Sequence, residues 1–150
     1  MSMLTGGITM FLSAFLGTLG FALLLHAPRR AWLPASAIGA VAYTLYWALN
    51  AAGLGNSISI FIGAVAGSLM AHCCARQMRM IATIFITLSI VAMVPGLGLY
   101  RCMALLAQGQ NTAGLRTGVE AMITITMIAL GLAVGSFLFR VIMTSMKRLH

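Results

Sequence analysis

The sequence predicts an all-α integral membrane protein with five transmembrane helices, N-terminus outside and C-terminus inside, the fourth span interrupted at Pro95-Gly96. Composition, the lengths of the apolar runs and the placement of basic residues each point that way. Of 150 residues, 61% are apolar and 7% charged, and the mean hydropathy is +1.05. A soluble domain carries charge on roughly a quarter of its residues, so this chain cannot face water all round. Its net charge of +8 comes from nine Lys/Arg against one acidic residue. Those basic residues lie scattered between apolar segments and make no stripe such as a nucleic acid would need. They are better read as setting orientation in a lipid bilayer.

Residues 1–150 form a single transmembrane domain with spans at about 4–25, 31–49, 58–74, 80–99 and 119–139, each near the ~20 residues that ~30 Å of hydrocarbon requires. Span 1 is retained, because no basic region precedes it and Pro28-Arg29-Arg30 follows where a cleavage site would need small residues. Its Ser13-x3-Gly17 pair suits close helix contact. Span 2 opens on Trp32 and closes near Tyr46 and Trp47, aromatics of the two interfaces. The turn from Asn50 to Asn56 contains Gly53 and Gly55, with Asn56 or Ser57 expected as the next N-cap. Span 3 carries Gly63-x3-Gly67-x3-Ala71 and span 5 carries Gly131-x3-Gly135. Small residues repeated every fourth position let helix backbones approach in lipid, so these are read as packing faces of a compact bundle or a homo-oligomer. The connection of residues 101–118 has room for a short interfacial helix built on Met103, Leu105 and Leu106, and Asn111-Thr112 suits the start of the last helix.

The loops alternate in charge. Arg29, Arg30, Arg76, Arg79, Arg140, Lys147 and Arg148 fall on one side; only Arg101 and Arg116 fall on the other. Basic loops stay inside, which sets the orientation stated above.

Few residues offer chemistry. Glu120, the one acidic residue, sits at the edge of span 5, where a charged group at membrane depth costs several kcal/mol and raises a functional hypothesis by default. It is a candidate proton carrier, and Arg116 at i−4 makes a shallow ion pair the competing reading. His72-Cys73-Cys74 cannot converge on one ion, because neighbours on a helix diverge by about 100°. Twelve Met residues spread singly read as core filling. No metal site, cofactor, nucleotide site or nucleophile with its base is expected, and the protein is not read as an enzyme.

The most specific feature is "VAMVPGLGLYRCM", residues 91–103. From Met80 to Val94 runs about 22 Å of helix, short of a full crossing, so Pro95 and Gly96 lie within or just below the outer boundary. Pro95 removes an N–H and frees a carbonyl one turn back, while Gly96 and Gly98 permit non-helical backbone. Freed backbone at that depth must face protein or a wet cavity. A simple kink and a working break, such as the half-helices that bind solutes in transporters, are both open on these residues alone.

"VPGLGLY" (Val94 to Tyr100), followed by Met103 and Gln108-Gly109-Gln110, resembles the "PG…Y" signature of the threonine/serine exporter family, in its short C-terminal-type half. "GFALLLHAPRRAW" (Gly20 to Trp32) is similar to that half's first loop. The resemblance implies a ten-span secondary exporter in two halves, this chain pairing with a larger five-span subunit that carries a cytosolic N-terminal region. It also implies a bacterial inner membrane and export of a small hydrophilic solute, threonine or serine in some members and a dicarboxylate such as succinate in a split version. Pro95, Gly96 and Tyr100 carry over by motif; Gly98 would help shape the site, Tyr100 would supply a hydroxyl and Arg101 would attract a carboxylate. The rivals are a non-transporting membrane scaffold and a homo-oligomeric proton antiporter resting on Glu120.

Overall fold

The computed structural model describes residues 2–148, with side chains over residues 6–145. Lys147 and Arg148, counted above with the inner charges, lie outside the described side chains. Six helices follow in order: α1 (Ser2–Leu24), α2 (Arg29–Ala51), α3 (Asn56–Gln77), α4 (Ala82–Val91), α5 (Gly96–Ala107) and α6 (Asn111–Arg148). Among the described residues there is no strand.

Three stretches are long and apolar enough to cross a membrane, Gly6–Leu24, Asn56–Gln77 and Asn111–Ser145, and α4 with α5 makes a fourth if the pair, bent by 51°, is one span. α2 matches α1 in length at 23 residues yet is not among them. The reason is its position. α1, α3 and α4 all pack on it, and Ala31, Ala35, Ser36, Ile38, Gly39, Ala40 and Ala42 are buried. A helix shielded by protein is selected for small residues that pack and can carry Ser, Thr and Tyr, which lowers its hydropathy below that of a lipid-facing neighbour.

Side-chain contacts fix the directions of the helices. α1 and α2 are antiparallel, with Gly6 against the Trp47 ring and Gly39 against Thr18. α2 and α4 run the same way, Gly39 lying beside Ser89 while Tyr46 and Met93 both meet Gly63. α3 and α6 are also parallel: Ser68 bonds Ser136, 68 residues on, and Arg76 meets Met143, 67 residues on, with His72 against Phe139 between them. Two parallel helices need an odd number of crossings between them. α4 and α5 together therefore carry the chain from one end of the bundle to the other, and they do not turn back. α5 then folds antiparallel onto the start of α6, with Leu106 on Gly114 and Cys102 on Gly118.

The glycines sit where backbones touch. A Cβ at Gly131 would come within 2.7 Å of Ala64 Cβ and 2.8 Å of the Phe61 carbonyl, and one at Gly135 within 2.7 Å of Ser68 Cβ. Gly63 and Gly67 face α2 instead, each close to Ala42. One apolar cluster fills the end near the α1–α2 turn around Ala35, Ile38, Phe85 and Leu88, and another around Ala42, Ile60, Ala64, Met93 and Ile128 fills the end near the α2–α3 turn. Thr18, Gly39, Gly67 and Ser89 meet between them. Thr18 and Ser89 return their hydroxyls to their own helices, to the Ala14 and Ile86 carbonyls, so neither is left unpaired in an apolar surround.

Four helices end alike. His26, Gly53, Arg79 and Gly109 each take a left-handed backbone, φ 50°, 89°, 52° and 75°. Behind each, the next N–H reaches back five residues, as Ala27 to Ala22, Leu54 to Leu49, Met80 to Ala75 and Gln110 to Leu105. These are Schellman closures, which occupy the last carbonyls of α1, α2, α3 and α5.

Sequence and structure differ at three boundaries. The last helix starts at Asn111, where Asn111-Thr112 places it, but the span expected at 119–139 is only part of its 38 residues, about 57 Å, because its first turns pair with α5 and not with α3. The short helix expected within residues 101–118 begins at Gly96 and continues from the break itself. The N-cap of α3 is Gly55, at φ 84°, and Asn56 and Ser57 are already helical; the Asn56 side chain is engaged by Tyr46 instead.

Candidate functional site

α4 ends differently from its neighbours. The N–H groups of Met93 and Val94 both turn to the Ile90 carbonyl, at 2.7 and 3.1 Å. Pro95, at φ −77° and ψ 57°, then closes an inverse γ-turn in which the Gly96 N–H donates to the Val94 carbonyl at 2.8 Å. Pro95 has no N–H to give the Val91 carbonyl and the γ-turn takes the Gly96 N–H from the Ala92 carbonyl, so that the carbonyls of Val91, Ala92 and Met93 receive no hydrogen bond among the described residues. The new helix starts with the Leu99 N–H on the Pro95 carbonyl at 3.1 Å, and no side chain caps the N–H groups before it. Negative and positive helix ends thus meet at one place.

This junction is deep. Met93 Cε lies 2.8 Å from where a Gly63 Cβ would stand, and Gly63 is seven residues, about 10 Å, inside the start of α3. That is further in than chain length alone indicated, because the bend tilts α5 away and its 12 residues, about 18 Å, cover the remaining height obliquely.

A cleft of about 230 Å³ opens on the junction, bounded by Ala92 to Leu97 of the break, Tyr43 and Tyr46 of α2, Asn56 and Ile60 of α3, and Thr124 of α6. Tyr43 and Tyr46 stand edge to face with ring centres 5.6 Å apart. The Tyr46 hydroxyl donates to Asn56 Oδ1 at 2.8 Å, and Thr124 Oγ1 donates to the Glu120 carbonyl at 3.0 Å. Only small-metabolite volumes fit here, below the usual range of drug-sized pockets. Its polar groups are neutral side chains and freed backbone; no Lys, Arg or Glu lines it among the described residues.

Of the residues singled out from sequence, Pro95 and Gly96 border the cleft. Gly98 faces Ala121 of α6, and neither it nor Gly96 takes a left-handed backbone, since both lie in the first turn of α5. Tyr100, 71% exposed, and Arg101, also exposed, lie further along α5 and away from the cleft. Glu120 is exposed and pairs with Arg116 at 3.4 Å. It does not share the burial of Thr124 or Gly131, since α6 at that level has α5 beside it and α3 has not yet begun. His72 bonds the Ser68 carbonyl and packs on Phe139, in the α3–α6 seam. Cys73 is exposed, Cys74 half-buried, and Cys102 lies against Gly118.

Tyr43, Asn56 and Thr124 were missed as site residues because they come from three helices that only the fold brings together. The available signal was the run of Tyr43, Thr44, Tyr46 and Asn50 in α2, polar residues that a lipid-facing helix would not carry.

A family model described as "Threonine/Serine exporter, ThrE" matches residues 10–138. No curated protein and no solved structure matches the chain. The matched region runs from the middle of α1 through the break to most of α6 and so takes in part or all of every helix, and the chain belongs to the threonine/serine exporter family.

Proposed function

We propose that the chain binds a small zwitterionic amino acid with a side-chain hydroxyl at the break between α4 and α5 and takes part in its export. One observation carries this reading: α4's freed carbonyls and α5's uncapped N–H groups meet at a cleft that contains no charged side chain among the described residues. An ammonium group is matched by the Ala92 and Met93 carbonyls, and a carboxylate by the Leu97 and Gly98 N–H groups at the positive end of α5. A side-chain hydroxyl is left to the Tyr46–Asn56 pair. A dicarboxylate such as succinate would bring a second negative charge with no cation to meet it, which favours threonine and serine. Asn56→Leu tests the reading. It should lower threonine export about 10- to 100-fold, the cost of leaving a desolvated hydroxyl unpaired, with little change in protein level. Unchanged export in cells loaded with threonine-containing peptides would reject it.

The proposal extends to topology and assembly. α2 is the fifth span, and the end bearing Arg29, Arg30, Arg76, Arg79 and Arg140 faces the cytoplasm of a bacterial inner membrane. The chain acts on its solute by moving it, without chemical change. It is one half of a two-component exporter whose partner is the larger five-span subunit. Two features support a partner: the cleft is open on one side, and the α5–α6 groove, about 550 Å³ and lined by Leu99, Val119, Met122 and Ile123, is almost wholly apolar. The antiporter reading has no comparable support, since Glu120 stands exposed with Arg116 outside the cleft.

A further inference from the structure

Two further clefts lie in file with the break cleft along the seam where α1 meets α4. One, about 350 Å³, opens at the α1–α2 turn and is lined by Leu25, His26, Thr83 and Thr87. The next, about 240 Å³, is lined by Ser13, Gly17, Phe21, Tyr43 and Val91. Leu25 follows Phe21 by one helical turn on α1, and Val91 follows Thr87 by one turn on α4, so the two clefts abut. The middle cleft and the break cleft share Tyr43 and Ala92. α1 packs along α2 and only lightly against α4, which leaves the seam slack for the full height of α4.

The hydroxyls distinguish this seam from a lipid-facing groove. Outside the seam Thr9, Thr44, Thr117, Thr126 and Thr144 return their hydroxyls to a carbonyl one turn back on their own helix, the usual state in an apolar surround, and in the middle cleft Ser13 does the same to the Met10 carbonyl. Thr83 and Thr87, exposed and one turn apart on α4, have no such bond among the described residues. Two unbonded hydroxyls facing hydrocarbon would be costly; facing water or a polar solute they are satisfied. The mouth is framed by His26, which holds a left-handed backbone that is unfavourable for a residue with a Cβ.

We infer that the α1–α4 seam is a hydrated route by which the solute passes between the α1–α2 turn and the break, with the Tyr43 ring as the partition between its last two clefts. The inference rests on the break being the solute site. It is tested by thiol accessibility in the full-length chain in its own host, with Cys73→Ser, Cys74→Ser and Cys102→Ser as background after export is shown to persist. Thr87→Cys and Ser13→Cys place thiols in the seam; Leu12→Cys places one on the opposite, lipid-exposed side of α1. In vesicles of both orientations, a membrane-impermeant methanethiosulfonate should label the seam thiols at least about tenfold faster than Leu12→Cys. Each unit by which lipid raises a thiol pKa removes a factor of ten in reactive thiolate. Threonine should slow the seam reactions, and labelling should block export. Seam thiols that react no faster than Leu12→Cys, or at a rate threonine leaves unchanged, overturn the route. If Asn56→Leu abolishes export while the seam thiols stay inert, the route fails and the break site stands. Fast, threonine-protected labelling with full export in Asn56→Leu supports the route and removes the break as the site.

Discussion

The C-terminus of α4 and those of α1, α2, α3 and α5 solve the same problem in opposite ways. Each helix ends with carbonyls that no longer have an N–H one turn ahead. At His26, Gly53, Arg79 and Gly109 a left-handed residue swings the chain back so that the following N–H groups cover them. Those ends lie at the two faces of the bundle, where water is at hand, and yet they are closed. α4 ends inside the bundle, where closure would matter most, and its carbonyls stay open. Exposed backbone in the least forgiving place is retained only where something polar visits it. The sealed ends are turns; the unsealed one leaves carbonyls free for the solute that we propose binds there.

The largest effect should come from closing the open end. Pro95→Ala restores an N–H and removes a residue that costs about 3 kcal/mol inside a helix, so α4 can propagate into α5 and cover the Val91 carbonyl. Export should fall to near background while the purified protein melts no lower than the parent; a variant that transports normally would show the break to be a kink only. Opening a closed end should be milder. Gly53→Ala puts a Cβ on a backbone at φ 89°, costing about 1 kcal/mol, read as a lower melting temperature with solute preference unchanged. The reverse change, Arg79→Gly, relieves a side-chain-bearing residue at φ 52° and should raise stability by up to about 1 kcal/mol. Its cost is one basic residue at that face, so insertion of the Arg79→Gly variant in the wrong orientation would trace the role of Arg79 to charge instead of backbone. Smallest of all is Glu120→Gln. An exposed i,i+4 pair contributes a few tenths of a kcal/mol, so stability and the pH profile of export should both hold. A flattened pH profile would bring Glu120 back into the mechanism.

Periodic and punctuating signals in the sequence reached the all-helical fold, because apolar length, Pro and Gly act locally. The Pro95 break was legible for that reason, and so were the turns at Pro28 and Gly53. What was not legible depends on which helix lies beside which. α6 reads as a 21-residue span from 119 to 139, and nothing local shows that its first turns belong to a hairpin with α5. Asn56 reads as a cap because Asn before an apolar run usually is one; Tyr46, ten residues earlier, takes its side chain instead. Tyr100 and Arg101 stand next to the break in sequence, yet helical rotation and the 51° bend carry them outward. Tyr43 and Thr124 are distant from it in sequence and reach it through packing on α3.

The parallel pairing of α3 and α6 also sets a schedule for assembly. Ala64 and Ser68 of α3 meet partners that are synthesised 67 or 68 residues later. At roughly 5–20 residues per second, a ribosome takes about 3–13 s to make that stretch. Throughout the interval α3 presents its small-residue face unpartnered, after α1, α2 and α3 are already complete. The last helix is therefore the clasp: until Gly131 and Gly135 arrive, the nascent bundle is an unfinished object that membrane chaperones and proteases can recognise.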